Sequence, residues 1–211
     1  MRMLEIFSGT CRMAEAFKKR GWDVKTIDIE YPADLNADVR DLLREDIVRL
    51  CGGEPDFIWL SPPCTAFSTG SMGKHWGGGW RAYVPKTQTA MLGLELMRSS
   101  QRIIDWFPDA KWAWENPRGV MRKIPLMNGK KRHTVWFCKY GERRAKPTDM
   151  WTNLEQWVPR PECKNGNPCH EAAPRGAKTG TQGLKNAYLR GALPFELCEE
   201  IAEVATREMV K

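Results

Sequence analysis

The sequence predicts an α/β fold: a mostly parallel sheet with helices on both of its faces. Short apolar runs alternate with stretches whose apolar residues recur at helical spacing, which implies strands alternating with crossover helices. Glycines close several of these units, as at Gly21 and Gly52-Gly53. With 211 residues, the chain is long enough for one domain with a full core.

The elements follow in order. Met3 to Phe7 reads as a short buried strand, with Ser8-Gly9-Thr10 after it and a helix from Arg12 to Arg20. Val24 to Ile29 reads as the second strand, and a helix spans Val39 to Leu50. Asp56 to Leu60 is a third apolar strand. Thr87 to Phe107 places Ala90, Leu94, Met97 and Ile104 on one helical face. Lys111 to Glu115 and Thr134 to Phe137 read as further strands, and Phe195 to Met209 as a closing helix begun by Pro194. Two regions break the rhythm. Gly70 to Lys86 is glycine-rich, basic and aromatic, and reads as a mobile loop. Pro147 to Gly183 is rich in Pro, Gly, Asn and Lys and reads as a small irregular region.

Composition narrows the class. Hydrophobic residues make up 42% and charged residues 28%, as in soluble globular proteins. No window is apolar enough for a membrane span, and MRMLEIFSGT runs straight into a strand, so no signal peptide and a cytoplasmic location are expected. Seven irregularly spaced cysteines favour free thiols, one of them catalytic, over a disulfide framework. A net charge of +7 points to a polyanionic partner.

Three segments carry chemistry. In LEIFSGT, Gly9 directly after the first strand lets the backbone approach a ligand at a helix amino terminus, although the full GxGxxG pattern is absent and an ordinary strand-to-helix turn would read the same. About twenty residues on, Asp28 is placed to accept from ribose hydroxyls, and Asp38 could reach an adenine edge. No GK[ST] phosphate loop follows, which argues against a nucleoside triphosphate. In LSPPCTAFS, the restricted backbones of Pro62 and Pro63 hold Cys64 in one direction at a strand's carboxyl end, as a nucleophile requires and a buried inert thiol does not. In WAWENPRG, Glu115 ends an apolar strand and would face the same crevice. A thiolate beside an acid suits attack on an electron-poor ring that is protonated nearby.

Together these segments resemble the DNA cytosine-5 methyltransferase family. IFSGT is similar to its cofactor-binding motif, SPPCTAFS to its Pro-Cys motif, and ENP stands where the family has Glu-Asn-Val. YGERRAKPTDMWTN, Tyr140 to Asn153, resembles the segment with the family's basic residues. The compact length and the KPTDMWTN wording are most similar to bacteriophage and prophage enzymes, for which two roles fit: masking a genome, or partnering a restriction enzyme. The resemblance implies a Rossmann-like, S-adenosylmethionine-dependent methyltransferase fold. The cofactor would lie over Phe7, Ser8, Gly9, Thr10, Asp28, Ile29, Asp38, Val39, Ser61 and Pro62. A cytosine flipped from double-stranded DNA would receive Cys64 at carbon 6, with Glu115 at its ring nitrogen and amine. Arg144 and Lys146 would support the base or its phosphate, while Lys74, His75 and Arg81 on the glycine-rich loop would meet phosphates. The resemblance also implies a monomer. It divides the chain into a cofactor-binding and catalytic part (1–146), a target-recognition region (147–183) and a returning helix (184–211).

The departures are local. Arg143-Arg144-Ala145-Lys146 replaces a Gln-x-Arg-x-Arg pattern, Pro117 replaces the valine, and the final Gly-Asn motif is missing. Cys163, Cys169 and His170, with Cys138 or His133, form a C-x5-CH group whose spacing is not a strong zinc pattern. Free cysteines are expected there, and no metal is assigned. Rival readings are an amino methyltransferase acting on an exocyclic amine, whose Ser-Pro-Pro motif ends in an aromatic residue rather than Cys64, and a non-catalytic nucleic-acid-binding protein. RNA or a free pyrimidine nucleotide as substrate is a further alternative.

Overall fold

Alternate residues of the first strand go to opposite faces of one sheet, and both faces are covered. In the computed structural model, which describes residues 1–78, 83–164, 166–172 and 186–210, Leu4 and Ile6 enter one apolar cluster and Met3 the other. Strands buried on both faces must read as continuous apolar runs, which is why the short runs were legible as parallel strands.

The elements in chain order are β1 (Arg2–Ile6), α1 (Arg12–Lys18), β2 (Asp23–Asp28), β3 (Leu35–Asn36), α2 (Arg44–Cys51) and β4 (Phe57–Leu60), then α3 (Met72–His75), β5 (Trp76–Gly77), β6 (Val84–Pro85), α4 (Gln88–Trp106) and β7 (Lys111–Pro117), then β8 (Arg132–Trp136), β9 (Pro147–Thr152), α5 (Ala187–Gly191) and α6 (Phe195–Met209). The main sheet has the order β3-β2-β1-β4-β7-β9-β8. All its pairings from β3 through β7 are parallel, and β9 runs antiparallel to both β7 and β8. Residues of α2 and α4, among them Ile47, Met97 and Ile103, pack on one face. Residues of α1 and α6, among them Phe17, Leu197 and Ile201, pack on the other.

Several sequence-based boundaries change. The second helix begins at Arg44, not Val39. The Asp38 carboxylate accepts from the Arg40 amide (2.9 Å) and holds the chain in a turn, and Asp46 then accepts from the Leu43 amide (3.0 Å) to start the helix. The irregular region expected from Pro147 opens instead on β9, whose Thr148 and Asp149 are fully buried inside the sheet. Asp149 is matched there by Thr134 Oγ1 (2.8 Å) and by the Arg122 guanidinium, so PTDMWT is a strand of the main sheet and not irregular. Part of the expected mobile loop is also ordered: α3 and the β5–β6 pair lie within 70–86, and the Trp76 indole donates to the Ala66 carbonyl (2.6 Å). Arg81 lies outside the described residues, as do 165 and 173–183 of the expected target-recognition region.

One buried acid gives the fold a pH dependence. Glu5 on β1 is 3% exposed and accepts from the Ala14 amide (2.8 Å) in α1. Burial pushes its carboxyl up to about 8, against the opposing pull of that amide and of Lys18. The folded value thus exceeds the unfolded value of about 4.3. Its contribution to stability is fully present below the unfolded value and is lost as pH rises through about 8. Each pH unit in that window costs up to about 1.4 kcal/mol. Glu5→Gln is expected to melt with the wild type near pH ~5 and several degrees above it near pH ~9. Melting curves across that range check it; equal midpoints at both ends would contradict it.

Candidate active site

The carboxyl ends of β1, β2, β4 and β7 share one edge of the sheet, where open α/β folds bind ligands. Among the described residues, the non-glycine residues with positive φ are Phe7 (60°), Cys11 (53°) and Lys146 (22°), and all three flank this edge. Backbone held in that region is costly and concentrates at functional sites.

The first half of the site is the turn after β1. The Phe7 and Ser8 amides donate to the Ile27 carbonyl (2.9 and 3.3 Å), so the turn follows the end of β2. Gly9, at φ 45°, donates to Asp28 Oδ2 (3.0 Å), whose other oxygen accepts from the Glu30 and Tyr31 amides (2.8 and 3.0 Å). Asp28 therefore builds the loop, and Oδ2 keeps a lone pair for a hydroxyl. The Ser8 hydroxyl is buried and finds at most the weak Cys11 thiol. Ile29 is 67% exposed directly after β2, an apolar surface open to a flat ring. An orphaned hydroxyl, a carboxylate with a spare lone pair and an exposed isoleucine fit an adenosyl group. Asp38 is bound by the Arg40 guanidinium (2.6 Å), which holds its carboxyl below the ordinary range. The Val39 side chain lies in the core and its carbonyl accepts from Arg102 (3.2 Å), so of this residue the backbone amide is what could face a cofactor.

The second half is built by β4 and β7. Their parallel register pairs Leu60 with Trp114, so Ser61, just past the end of β4, comes level with Glu115, which stays in β7 paired to Met150 of β9. Ser61 Oγ donates to Glu115 Oε2 (2.7 Å), so the Ser61 hydroxyl is engaged with the acid. Asn116 Nδ2 donates to the Pro62 carbonyl (2.9 Å), clamping the Pro-Pro approach to β7. Cys64 follows with its side chain exposed, and its carbonyl accepts from the Phe67 and Ser68 amides (2.9 and 3.0 Å) to begin a tight turn. That turn lies against Gly119, where any Cβ would collide with the Phe67 carbonyl.

Charge at this edge is coupled. Glu115 is 4% exposed, and burial raises its carboxyl while Lys146 and Ser61 lower it. Its Oε1 is buried without a hydrogen-bond partner among the described residues, as is Asn116 Oδ1. Such orphans carry a penalty of about 1–3 kcal/mol each until a ligand satisfies them. The protein around Cys64 raises its thiol, Glu115 adds to this, and Lys146 and Arg190 oppose it. Lys146 is the cation facing both groups: burial lowers its ammonium, while Glu115 and Cys64 hold it up. Its Nζ donates to the Arg190 carbonyl (2.8 Å) and sits 4.4 Å from the Phe137 ring.

Other expected residues have partners of their own away from Cys64. Arg144 is buried and turned to Glu142 (2.8 Å) and the Arg190 carbonyl (3.3 Å), a supporting position behind Lys146. His75, expected near phosphates, is buried with Nδ1 2.7 Å from Thr87 Oγ1 at the start of α4. Lys74 is exposed. Cys163, Cys169 and His170 come together with Cys138, whereas His133 packs edge-on against Trp157. Asn116 and Arg190 were missed; the asparagine was within the quoted ENP, but its bond to Pro62 depends on strand register.

No family model matches the chain. A probable DNA (cytosine-5)-methyltransferase of Frog virus 3 is 32% identical over 173 residues, covering 80% of this chain and 78% of the relative. Among solved structures, the Entamoeba histolytica methyltransferase EhMeth aligns with a TM-score of 0.53 at 11% identity, over 78% of this chain and 57% of its own. A Spodoptera frugiperda DNMT2 mutant aligns at 0.47 and 20% identity, over 76% and 53%. The chain thus spans little more than half the length of these solved proteins, and the EhMeth likeness bears on the fold alone. With the viral relative matched over most of both chains, the sequence belongs to the DNA (cytosine-5)-methyltransferase family.

Proposed function

We propose that this protein methylates carbon 5 of cytosine in double-stranded DNA, acting as a single chain through a covalent adduct at Cys64. The observation that carries the reading is the pairing of Ser61 with Glu115 and of Pro62 with Asn116, which fixes a thiol and a buried acid to adjacent strands. Phe7, Ser8, Gly9, Asp28 and Ile29 would hold S-adenosylmethionine, which supplies an electrophilic methyl group when bound. Cys64, as thiolate, adds to carbon 6 of a flipped cytosine and the carbon 5–carbon 6 double bond opens. Glu115 donates its proton to the ring nitrogen and accepts from the exocyclic amine through its other oxygen, which leaves carbon 5 nucleophilic. After carbon 5 is alkylated, a base removes its proton, the double bond re-forms, the Cys64 thiolate leaves and the ring nitrogen returns its proton to Glu115. Lys146 holds negative charge at Cys64 and Glu115 throughout. No helix among the described residues is long and apolar enough to cross a membrane.

The test is a duplex carrying 5-fluorocytosine in mixed sequence, with S-adenosylmethionine. Fluorine cannot leave as a proton does, so the enzyme is expected to stay covalently attached to the DNA. Methyl transfer to ordinary DNA without any adduct would instead establish amino methylation. Transfer to RNA but not to DNA would overturn the choice of substrate.

A further inference from the structure

We infer that Cys138, Cys163, Cys169 and His170 form a closed Cys3His zinc site that fastens the chain after β9 to the turn after β8. This goes beyond the methyltransferase reading and stands or falls separately from it.

The four residues come from two distant stretches. Cys138 lies in the 3-10 turn Phe137–Tyr140 that follows β8. The other three come from the segment beyond β9, and the four donor atoms all lie within 4.8 Å of one another. The separations are Cys163 Sγ to Cys169 Sγ 3.4 Å, Cys169 Sγ to Cys138 Sγ 3.6 Å, Cys163 Sγ to His170 Nδ1 3.3 Å and Cys169 Sγ to His170 Nδ1 3.8 Å. A tetrahedron with Zn–S of about 2.3 Å and Zn–N of about 2.0–2.1 Å has edges of about 3.8 Å (S to S) and about 3.5 Å (S to N). The observed edges scatter around those values. A disulfide needs about 2.05 Å between sulfurs and would use only two of the three.

A second set of contacts shows a scaffold built around these donors. Arg160, three residues before Cys163, donates from its amide to Tyr140 Oη (3.0 Å) and from its guanidinium to the Lys139 carbonyl (2.8 Å). These are the two residues after Cys138. On the other side, the Glu171 amide, next to His170, donates to the Arg143 carbonyl (2.9 Å). Both ends of the ligand-bearing segment are thus bonded to the connection that contains Cys138. Cys163 and Cys138 are buried (2% and 8% exposed), and Asn167 Nδ2 points at Cys163 Sγ (3.8 Å) as an outer-sphere donor to a thiolate. Three thiols and an imidazole with four positions filled leave no open site for substrate, which marks a structural rather than a catalytic ion. The ion would also brace the active edge: the Phe137 amide donates to the Ala145 carbonyl (2.9 Å), and Phe137 carries Lys146.

The test uses the full chain purified without a histidine tag. Elemental analysis is expected to find zinc at one per chain. Replacing it with Co2+ should give the visible bands of a tetrahedral site and near-ultraviolet thiolate charge transfer. Cys169→Ser and His170→Ala, both at partly exposed positions, should each lower zinc occupancy and drop the melting midpoint by roughly 5–10 °C, as should chelation of the wild type. Full-length protein that is metal-free and folded, or a Co2+ spectrum without thiolate charge transfer, would overturn the site. So would full zinc retention in both variants.

Discussion

Cys64→Ser is expected to reduce methyl transfer at least roughly 10⁴-fold while the fold and S-adenosylmethionine binding persist. The hydroxyl has nearly the shape of the thiol, so the clamp of Asn116 on Pro62 and the turn closed by the Phe67 and Ser68 amides should survive. What disappears is a group that can ionise and bond to carbon 6. Tritiated methyl incorporation, together with a melting curve and cofactor titration, checks this. Serine retaining more than a tenth of the wild-type rate would show that the thiol is not the nucleophile.

Glu115→Gln is the second large effect, with an expected loss of about 10²–10⁴-fold in kcat. Glutamine can still accept from Ser61 and bond a base edge, but it carries no transferable proton. The pH profile separates that role from packing. Burial raises Glu115, so its proton is held further toward neutrality and is lost as pH rises through the raised value. Cys64 is also raised, so its thiolate fraction grows only at higher pH. The wild-type rate therefore depends on both groups, and the glutamine variant should follow Cys64 alone, rising with pH beyond the ordinary cysteine value of about 8.5. A variant with near-normal kcat and an unchanged profile would reduce Glu115 to an anchor for Ser61.

Much of this molecule was legible before any coordinates. Runs such as FIWL and WAWEN announce parallel strands because burial on both faces leaves little room for polar residues. Cys64 stood out as a candidate nucleophile because two prolines fix its approach, which an inert buried thiol would not need. β9 was not, since PTDMWT carries a proline and an aspartate, both poor strand residues. Its Asp149 is tolerated only because Arg122 and Thr134, from elsewhere in the chain, neutralise and bond it. His75 misled for the opposite reason: in a glycine-rich basic loop it looked solvent-facing, and only its bond to Thr87 shows it to be interior. The cysteine group was read as free thiols because C-x5-CH is not a strong zinc spacing and sequence alone did not choose between Cys138 and His133 as its fourth member.

The register of β4 against β7 has a bearing on how such a protein diversifies. Ser61, Pro62, Glu115 and Asn116 are fixed by hydrogen bonds between neighbouring strands, so the distance from thiol to acid is inherited from the sheet. Exposed residues such as Lys74 emerge from the same scaffold without setting that distance. Under the proposed function, substitutions at such positions can alter which nucleic acid is retained while Cys64 and Glu115 keep their spacing. Changes in recognition and changes in chemistry are thereby open to selection one at a time.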